Sequence, residues 1–187
     1  MLKRNIVIAV LAIVAVLIFT WDCHEMPPTL SETEQYYRTF EDKNGFCIKD
    51  GILYAYVGYK TEITIPKNVT EIYVSALSWD FDHGINLKKV TVPGTVQKID
   101  KGAFAFTTAD TIIIEEGVKE IGEWAFGDSY IDEIWFPKSI ETIGDGSGIM
   151  ETEEGLWDTK IHVPKDSKIA RYFEQSMPYG SPTLIYN

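Results

Sequence analysis

Three histidines and the carboxylates near one of them are the side chains best suited to catalysis or metal binding. His83 closely follows Asp80 and Asp82, and imidazole and carboxylate groups both bind divalent cations. Gly84, however, comes too early for the calcium loop of an EF-hand, and no glutamate follows at the spacing of a bidentate ligand. This pattern favours a solvated acidic loop, and we expect no metal ion here.

Other catalytic patterns are also incomplete. Residues 144–148 read Gly-Asp-Gly-Ser-Gly, but no Lys-Ser or Lys-Thr follows, so the phosphate-binding P-loop pattern fails and a flexible turn is expected. Asp80, Asp82 and Glu153 are the acids that a carbohydrate-active enzyme would use. Nothing holds two of them at the defined separation that glycoside hydrolysis needs. The sequence therefore predicts no catalytic residue and no cofactor.

The overall charge excludes one class of partner. The chain has 28 acidic and 17 basic residues, a net charge of −11. Nucleic acid binding needs clustered lysine and arginine to neutralise phosphates. We expect no nucleic acid partner.

The N-terminal segment has the pattern of an export signal. Lys3 and Arg4 precede an apolar run over residues 6–19, which Asp22 ends. Cleavage usually needs small residues before the cut, whereas the run ends in Phe-Thr-Trp-Asp. We therefore predict that residues 1–22 remain as a single transmembrane helix, with a cleaved signal peptide as the alternative. The positive charges would stay cytoplasmic, which places the bulk of the chain outside the cell membrane.

The two cysteines leave one question open. Cys23 follows the apolar run as in bacterial lipoproteins, but Trp21 and Asp22 replace the small residues of that motif. Cys23 and Cys47 could form a disulfide outside the cell. The simpler interpretation is that Cys47 is a small strand residue and Cys23 belongs to a tether. Two cysteines at this spacing cannot frame a metal site.

An internal repeat dominates the rest of the chain. Five short apolar runs end at positions 66, 93, 115, 137 and 164, so their spacing is 27, 22, 22 and 27 residues. The first four are followed at fixed distance by a second apolar pair, the first being Val69 and Ile72. Ala103-Phe104 and Ala125-Phe126 then recur 22 residues apart, with Ala76-Leu77 matching them. One such repeat cannot bury its apolar side alone, but a stack can, which predicts a repeat solenoid with short parallel strands.

The repeat also resembles a known family. The segments VTVPGTVQKIDKGAFAF and IIIEEGVKEIGEWAF resemble the BspA-like, or treponemal-type, leucine-rich repeats of bacterial surface proteins, over roughly residues 46–175. The opening FCIKDGILYAYVGYKTEITIP resembles their N-terminal hairpin, and VPKDSKIARYFEQ resembles their closing turn and helix. The resemblance implies a β-rich array with a hairpin cap and a helical cap. It also implies an interaction or adhesion module without catalytic residues.

These features divide the chain into three parts. Residues 1–22 form the membrane anchor, 23–45 a polar linker, and 46–187 the repeat domain. Within that domain we place the hairpin cap at 46–58, the repeats at about 61–164 and the C-terminal cap at 165–187. The first and fourth repeats are each five residues longer than the others, and the fourth has Ser147-Gly148 where Ala-Phe is expected.

The candidate binding surface lies on the outward side of the strands. Because side chains alternate along a strand, Ile113, Trp135 and His162 should point away from the core and form a strip about 10 Å long. Trp79 and Trp157, from the two longer repeats, would close one rim. The alternative is that these are ordinary half-covered strand residues. The predicted ligand is a protein or a glycan. Competing functions are a structural envelope spacer and, less favoured, a carbohydrate-active enzyme.

Overall fold

The computed structural model describes residues 30–78, 86–144, 159–176 and 183–187. The predicted membrane segment 1–22, Cys23 and the two long arcs with Trp79 and Trp157 lie outside these ranges. No helix within them is long and apolar enough to cross a bilayer.

The described elements follow the repeat along the chain. In order they are α1 (Leu30–Arg38), β1 (Phe46–Lys49), β2 (Ile52–Tyr56), β3 (Glu62–Thr64), β4 (Glu71–Ile72), β5 (Leu87–Val92), β6 (Lys98–Ile99), β7 (Thr108–Ile114), β8 (Glu120–Ile121), β9 (Tyr130–Trp135), β10 (Thr142–Ile143), β11 (Lys160–Val163), α2 (Lys168–Ser176) and β12 (Thr183–Tyr186).

The apolar runs form a parallel sheet, which we call the long-strand sheet. Its order is β12-β11-β9-β7-β5-β3. Equivalent residues of successive repeats are register partners. Val90 pairs with Ile112, and Ile112 pairs with Ile134. The predicted solenoid with short parallel strands is therefore confirmed.

The second apolar pair of each repeat forms another sheet, the short-strand sheet, in the order β1-β2-β4-β6-β8-β10. Its members β4, β6, β8 and β10 are only two residues long, and they stack Ile72, Ile99, Ile121 and Ile143 in register. β2 pairs in parallel with β4. β1 and β2 pair as an antiparallel hairpin. Asp50 and Gly51 turn this hairpin with φ of 52° and 80°, as the Asp-Gly pattern predicts.

The core lies between the two sheets and the arcs that join them. Phe104 and Phe126 are fully buried, and their rings stack with centroids 5.1 Å apart and planes 23° apart. This confirms the stacking that their 22-residue spacing predicts. The aromatic series continues through Phe136 to Phe173 of α2, with centroids at 5.9 and 5.4 Å.

Backbone hydrogen bonds also join successive arcs. Leu77 N donates to Ala103 O at 3.0 Å, and Phe104 N donates to Ala125 O at 2.7 Å. The residues two positions before Leu77, Phe104 and Phe126 all have a left-handed φ of 55–62°. Each arc therefore repeats the backbone of its neighbour, and the stack is bonded on three sides.

The segment predicted as a linker, residues 23–45, contains the helix α1. Tyr37 and Phe40 pack against a small buried cluster on the hairpin, Cys47, Ala55 and Val57. Phe40 lies two residues beyond the end of the helix, and a turn in which Phe40 N donates to Tyr37 O at 3.1 Å brings both rings to the hairpin. The polar composition of this segment conceals that pattern, which explains the difference from the prediction.

Among the residues that the structure describes, Cys47 has no disulfide partner, and its thiol has no solvent exposure. Burial raises its pKa to about 12, and the negative charge of Glu41 adds to this effect. The reactive thiolate is therefore scarce at neutral pH. The structure thus places Cys47 as a small buried strand residue.

The C-terminal segment differs partly from the expected helical end. The helix α2 is present, and it buries Ile169 and Phe173 while Tyr172 packs at the margin of the core. The chain then adds β12, which pairs in parallel with β11. This strand was not predicted, because four residues give little periodic signal without knowledge of the partner.

Candidate binding surface

One row of outward side chains crosses every strand of the long-strand sheet. The register aligns Thr91 with Ile113, Ile113 with Trp135, Trp135 with His162, and His162 with Ile185. Thr64 precedes Thr91 at the N-terminal edge. We call this row the outward column; it consists of Thr64, Thr91, Ile113, Trp135, His162 and Ile185.

Exposure changes along the outward column. Thr64 is exposed, whereas Ile113, Trp135 and Ile185 are half-buried. His162 has only 7% of its surface exposed. The structure brings Ile113, Trp135 and His162 together, as the strand alternation predicts. His162, however, offers far less free surface than an outward position implies.

Trp135 and His162 form a face-to-face stack. Their ring centroids are 3.6 Å apart and their planes differ by 3°. The stack follows from the parallel register, because identical positions on adjacent strands place two flat side chains one above the other. One face of each ring is therefore covered by the other.

Glu133 fixes the orientation of the imidazole. Its Oε1 lies 2.6 Å from His162 Nε2. On the other side of the ring, His162 Nδ1 is buried and has no hydrogen-bond partner among the described residues. An unsatisfied buried polar atom destabilises a fold by about 1–3 kcal/mol. The stack with Trp135 and the contact with Glu133 offset this cost and hold His162 in place.

A second row, two residues before the outward column on each strand, is polar. The register aligns Glu62 with Lys89 and Glu133 with Lys160, so opposite charges are neighbours along it. We call it the polar column; its members are Glu62, Lys89, Thr111, Glu133, Lys160 and Thr183. An apolar strip beside a polar border is the usual anatomy of a protein interface.

Sequence reasoning missed Ile185 as a member of this surface. It lies on β12, beside His162, and extends the apolar part of the outward column by one strand. The β-favouring run Thr-Leu-Ile-Tyr near the end of the chain was the available signal. Trp79 and Trp157, predicted to close one rim, lie outside the described residues.

The part of the chain that the structure describes contains no group of three or more His, Cys, Asp or Glu side chains able to hold a metal ion. The acidic segment with Asp80, Asp82 and His83 falls outside that part. So do Glu153 and residues 145–148 of the glycine-rich run.

A comparison with protein-family models gives a match. A family model described as BspA type Leucine rich repeat region matches residues 52–147, in six copies. No curated protein and no solved structure matches the chain. The matched region includes Ile113 and Trp135 but ends before β11 and β12, which carry His162 and Ile185 of the outward column.

Proposed function

Because this chain belongs to the BspA-type leucine-rich repeat family, we propose that it is a membrane-anchored module that binds a protein partner outside the cell through its outward column. The family match spans just over half of the chain. A repeat domain of this kind suggests protein–protein binding. The membrane anchor, the location outside the cell and the outward column as binding face are proposed in addition to what the family suggests.

The strongest support is a strip of aliphatic and aromatic side chains on a rigid sheet. Ile113, Trp135, His162 and Ile185 lie on four adjacent strands of one parallel ladder. Side chains already held in place lose little freedom on binding, which lowers the entropic cost of forming a complex. The polar column beside them supplies charges that can fix the orientation of a partner.

The ring stack favours a protein over a glycan. Sugars bind aromatic side chains by lying flat on an open ring face. One face of Trp135 is covered by the ring of His162, with the centroids 3.6 Å apart. On the other side of β9, Ile113 of β7 is the register partner of Trp135. The surface therefore presents mainly ring edges and aliphatic groups, which suit the side chains of a protein partner.

We expect Trp135→Ala to weaken partner binding by about 2 kcal/mol, or roughly thirtyfold, as loss of a central aromatic anchor typically does. Thr64→Ala, at the N-terminal end of the same column, should leave the affinity unchanged. The partner would be recovered by pull-down with the full-length wild-type chain, and affinities measured by surface plasmon resonance. Equal affinities for the two variants, with unchanged circular dichroism spectra, would exclude the outward column as the binding face.

The anchor has its own test. The native protein should retain residues 1–22, because bulky and acidic side chains occupy the place of a cleavage site. Intact mass spectrometry of the protein purified from membranes should give the mass of the full chain. A mature N-terminus at or near Cys23, with or without lipid, would disprove the anchor and leave the binding proposal unaffected.

A further inference from the structure

Five aromatic side chains at the N-terminal end of the solenoid form one patch outside the main core. The ring centroids of contacting pairs lie 5.0 to 6.1 Å apart. We call this set the aromatic patch; it consists of Tyr36, Tyr37, Phe40, Tyr54 and Tyr73. Tyr36 and Tyr73 keep 54% and 37% of their surface exposed, and the other three are half-buried. The end of α1, the strand β2 and the residue after β4 thus present a continuous aromatic surface.

The chemistry of the aromatic patch suits a boundary between an apolar phase and water. Tyrosine combines an apolar ring with a polar hydroxyl, so it favours positions where one end is apolar and the other is wet. Burial and the neighbouring tyrosine hydroxyls raise the pKa of Tyr37 to about 12. Its hydroxyl is therefore uncharged at neutral pH, although it is the most crowded of the set. The patch offers rings with polar tips.

The aromatic patch is also close in sequence to the proposed membrane anchor. Only the seven residues 23–29 separate the anchor from α1. Even when fully extended they span at most about 25 Å, and Tyr36 lies only about 9 Å along the helix from Leu30. A short link holds α1 near the bilayer surface at an effective concentration in the millimolar range, so even a weak contact is populated.

The distribution of charge turns the same end of the molecule towards a bilayer. Residues 30–60 contain four basic and five acidic residues, a net charge of −1, whereas residues 61–187 contain 11 basic and 21 acidic residues, a net charge of −10. Anionic lipids repel acidic protein surfaces, so the N-terminal end approaches the bilayer with the least repulsion. Lys49 Nζ lies 5.8 Å from the centre of the Phe40 ring, and a lysine beside an apolar surface can extend its ammonium group to lipid phosphates.

We propose that the aromatic patch lies in the lipid–water interface of the membrane that holds residues 1–22. The occupant of this surface is the head-group and upper acyl region of a phospholipid bilayer, where tyrosine rings are enriched in membrane proteins. The inference rests on the anchor of the proposed function. It adds a second contact with the membrane, made by the folded domain itself.

This contact would set the orientation of the solenoid. The aromatic patch lies beside β2 and β4, at the N-terminal end of the stack, whereas Trp135 and His162 lie on β9 and β11, three and four strands after β3. At about 4.8 Å per strand, these two residues stand up to about 19 Å further along the axis. The contact would therefore hold the proposed binding face clear of the head groups and accessible to a partner outside the cell.

A photoreactive lipid tests the contact directly. Full-length protein would be reconstituted in phosphatidylcholine vesicles that include a phosphatidylcholine with a diazirine at the top of one acyl chain, and cross-linked residues would be mapped by mass spectrometry. Cross-links within residues 1–22 report the anchor in the same sample. Tyr186, which is 48% exposed at the other end of the solenoid, is the internal reference for random contact. Tyr36→Glu places a carboxylate in the patch, Tyr36→Phe keeps an apolar ring there, and Tyr130→Glu places the same charge at an exposed position on β9.

We expect cross-links at Tyr36 and Tyr73 in the wild type, and none above background at Tyr186. Cross-linking of Tyr73 should fall about tenfold in Tyr36→Glu, because a carboxylate at the lipid boundary favours release of the patch into water. Tyr36→Phe and Tyr130→Glu should behave like the wild type.

The contrary results separate the contact from the anchor. Cross-links within residues 1–22 without any at Tyr36 and Tyr73 would overturn the contact and leave the anchor standing. The absence of cross-links in both places would disprove the anchor, and the contact with it. Equal cross-linking of Tyr73 and Tyr186 would overturn the contact as well. So would cross-linking of Tyr73 that persists in Tyr36→Glu, since nearness to the membrane through residues 23–29 would then be its only cause.

Discussion

Phe126→Ala should lower the free energy of unfolding by about 3–5 kcal/mol, the usual cost of truncating a buried aromatic side chain. Phe126 has no solvent exposure and contacts Phe104 on one side and Phe136 on the other. Its removal opens a cavity between three repeats, and neighbours fixed by backbone ladders cannot collapse into it. Urea denaturation followed by circular dichroism would measure the change. Since whole domains are stable by only about 5–15 kcal/mol, the variant should be close to unfolding.

The chain provides its own control for this substitution. Leu77 occupies the equivalent position in the first repeat and is also fully buried. Phe126→Leu should therefore cost much less, about 1–2 kcal/mol, because most of the volume is kept. If Phe126→Ala unfolded at the same urea concentration as the wild type, the proposed repeat packing would be wrong.

Gly117→Ala should destabilise the fold by about 2–5 kcal/mol, through backbone strain and a steric clash together. Gly117 has a φ of +117°, which residues with a side chain rarely adopt. A Cβ built there would lie 2.3 Å from the carbonyl oxygen of Gly94 in the preceding repeat. The clash is with main-chain atoms of Gly94 and not with the end of a flexible side chain, so it cannot be relieved by a change of rotamer. Thermal melting would show a clear loss, on the order of 5–15 °C.

Gly102→Ala is the matched control, because Gly102 has neither the unusual φ of Gly117 nor a backbone atom close to an added Cβ. Its φ of +62° resembles that of Ser75 and Trp124 at the equivalent positions of neighbouring repeats. The nearest atom to an added Cβ is Ala105 Cβ at 3.8 Å, an ordinary contact. We expect a cost of about 1 kcal/mol. If both alanine variants melted alike, the close approach of Gly94 and Gly117 would not limit stability.

The long-strand sheet was predictable because its signal is local and repeated. Alternation over three residues shows which side chains point inward, and a fixed period shows which strands are neighbours. The stack of Phe104 and Phe126 follows from the same period. The short-strand sheet was not predicted as a sheet, since two residues such as Glu120–Ile121 are too few to show alternation. They become strands only because the neighbouring repeats supply partners.

The candidate surface was predictable in its positions but not in its environment. The alternation places Trp135 and His162 outward, and the register aligns them. That His162 is buried depends on the Trp135 ring on one side and on β12 on the other, and β12 pairs only through a long-range contact. Trp124 also shows the limit of local rules. It adopts the left-handed conformation that its counterpart Gly102 accommodates freely, because the stacked arcs impose it.

The direction of the backbone hydrogen bonds has a mechanical consequence. In both sheets they run along the axis of the solenoid, because they join strands stacked along it. A force between the N-terminal end and a ligand on the outward column would thus stretch them lengthwise. The described strands β9 and β11 pair over three residues, as do β3 and β5, against five for β5 and β7. The pairing of the short strands β4 and β6 reinforces the boundary between β3 and β5, whereas no short strand is described beyond β10. Tension should therefore separate the repeats first between β9 and β11, the boundary that the stacked rings of Trp135 and His162 bridge.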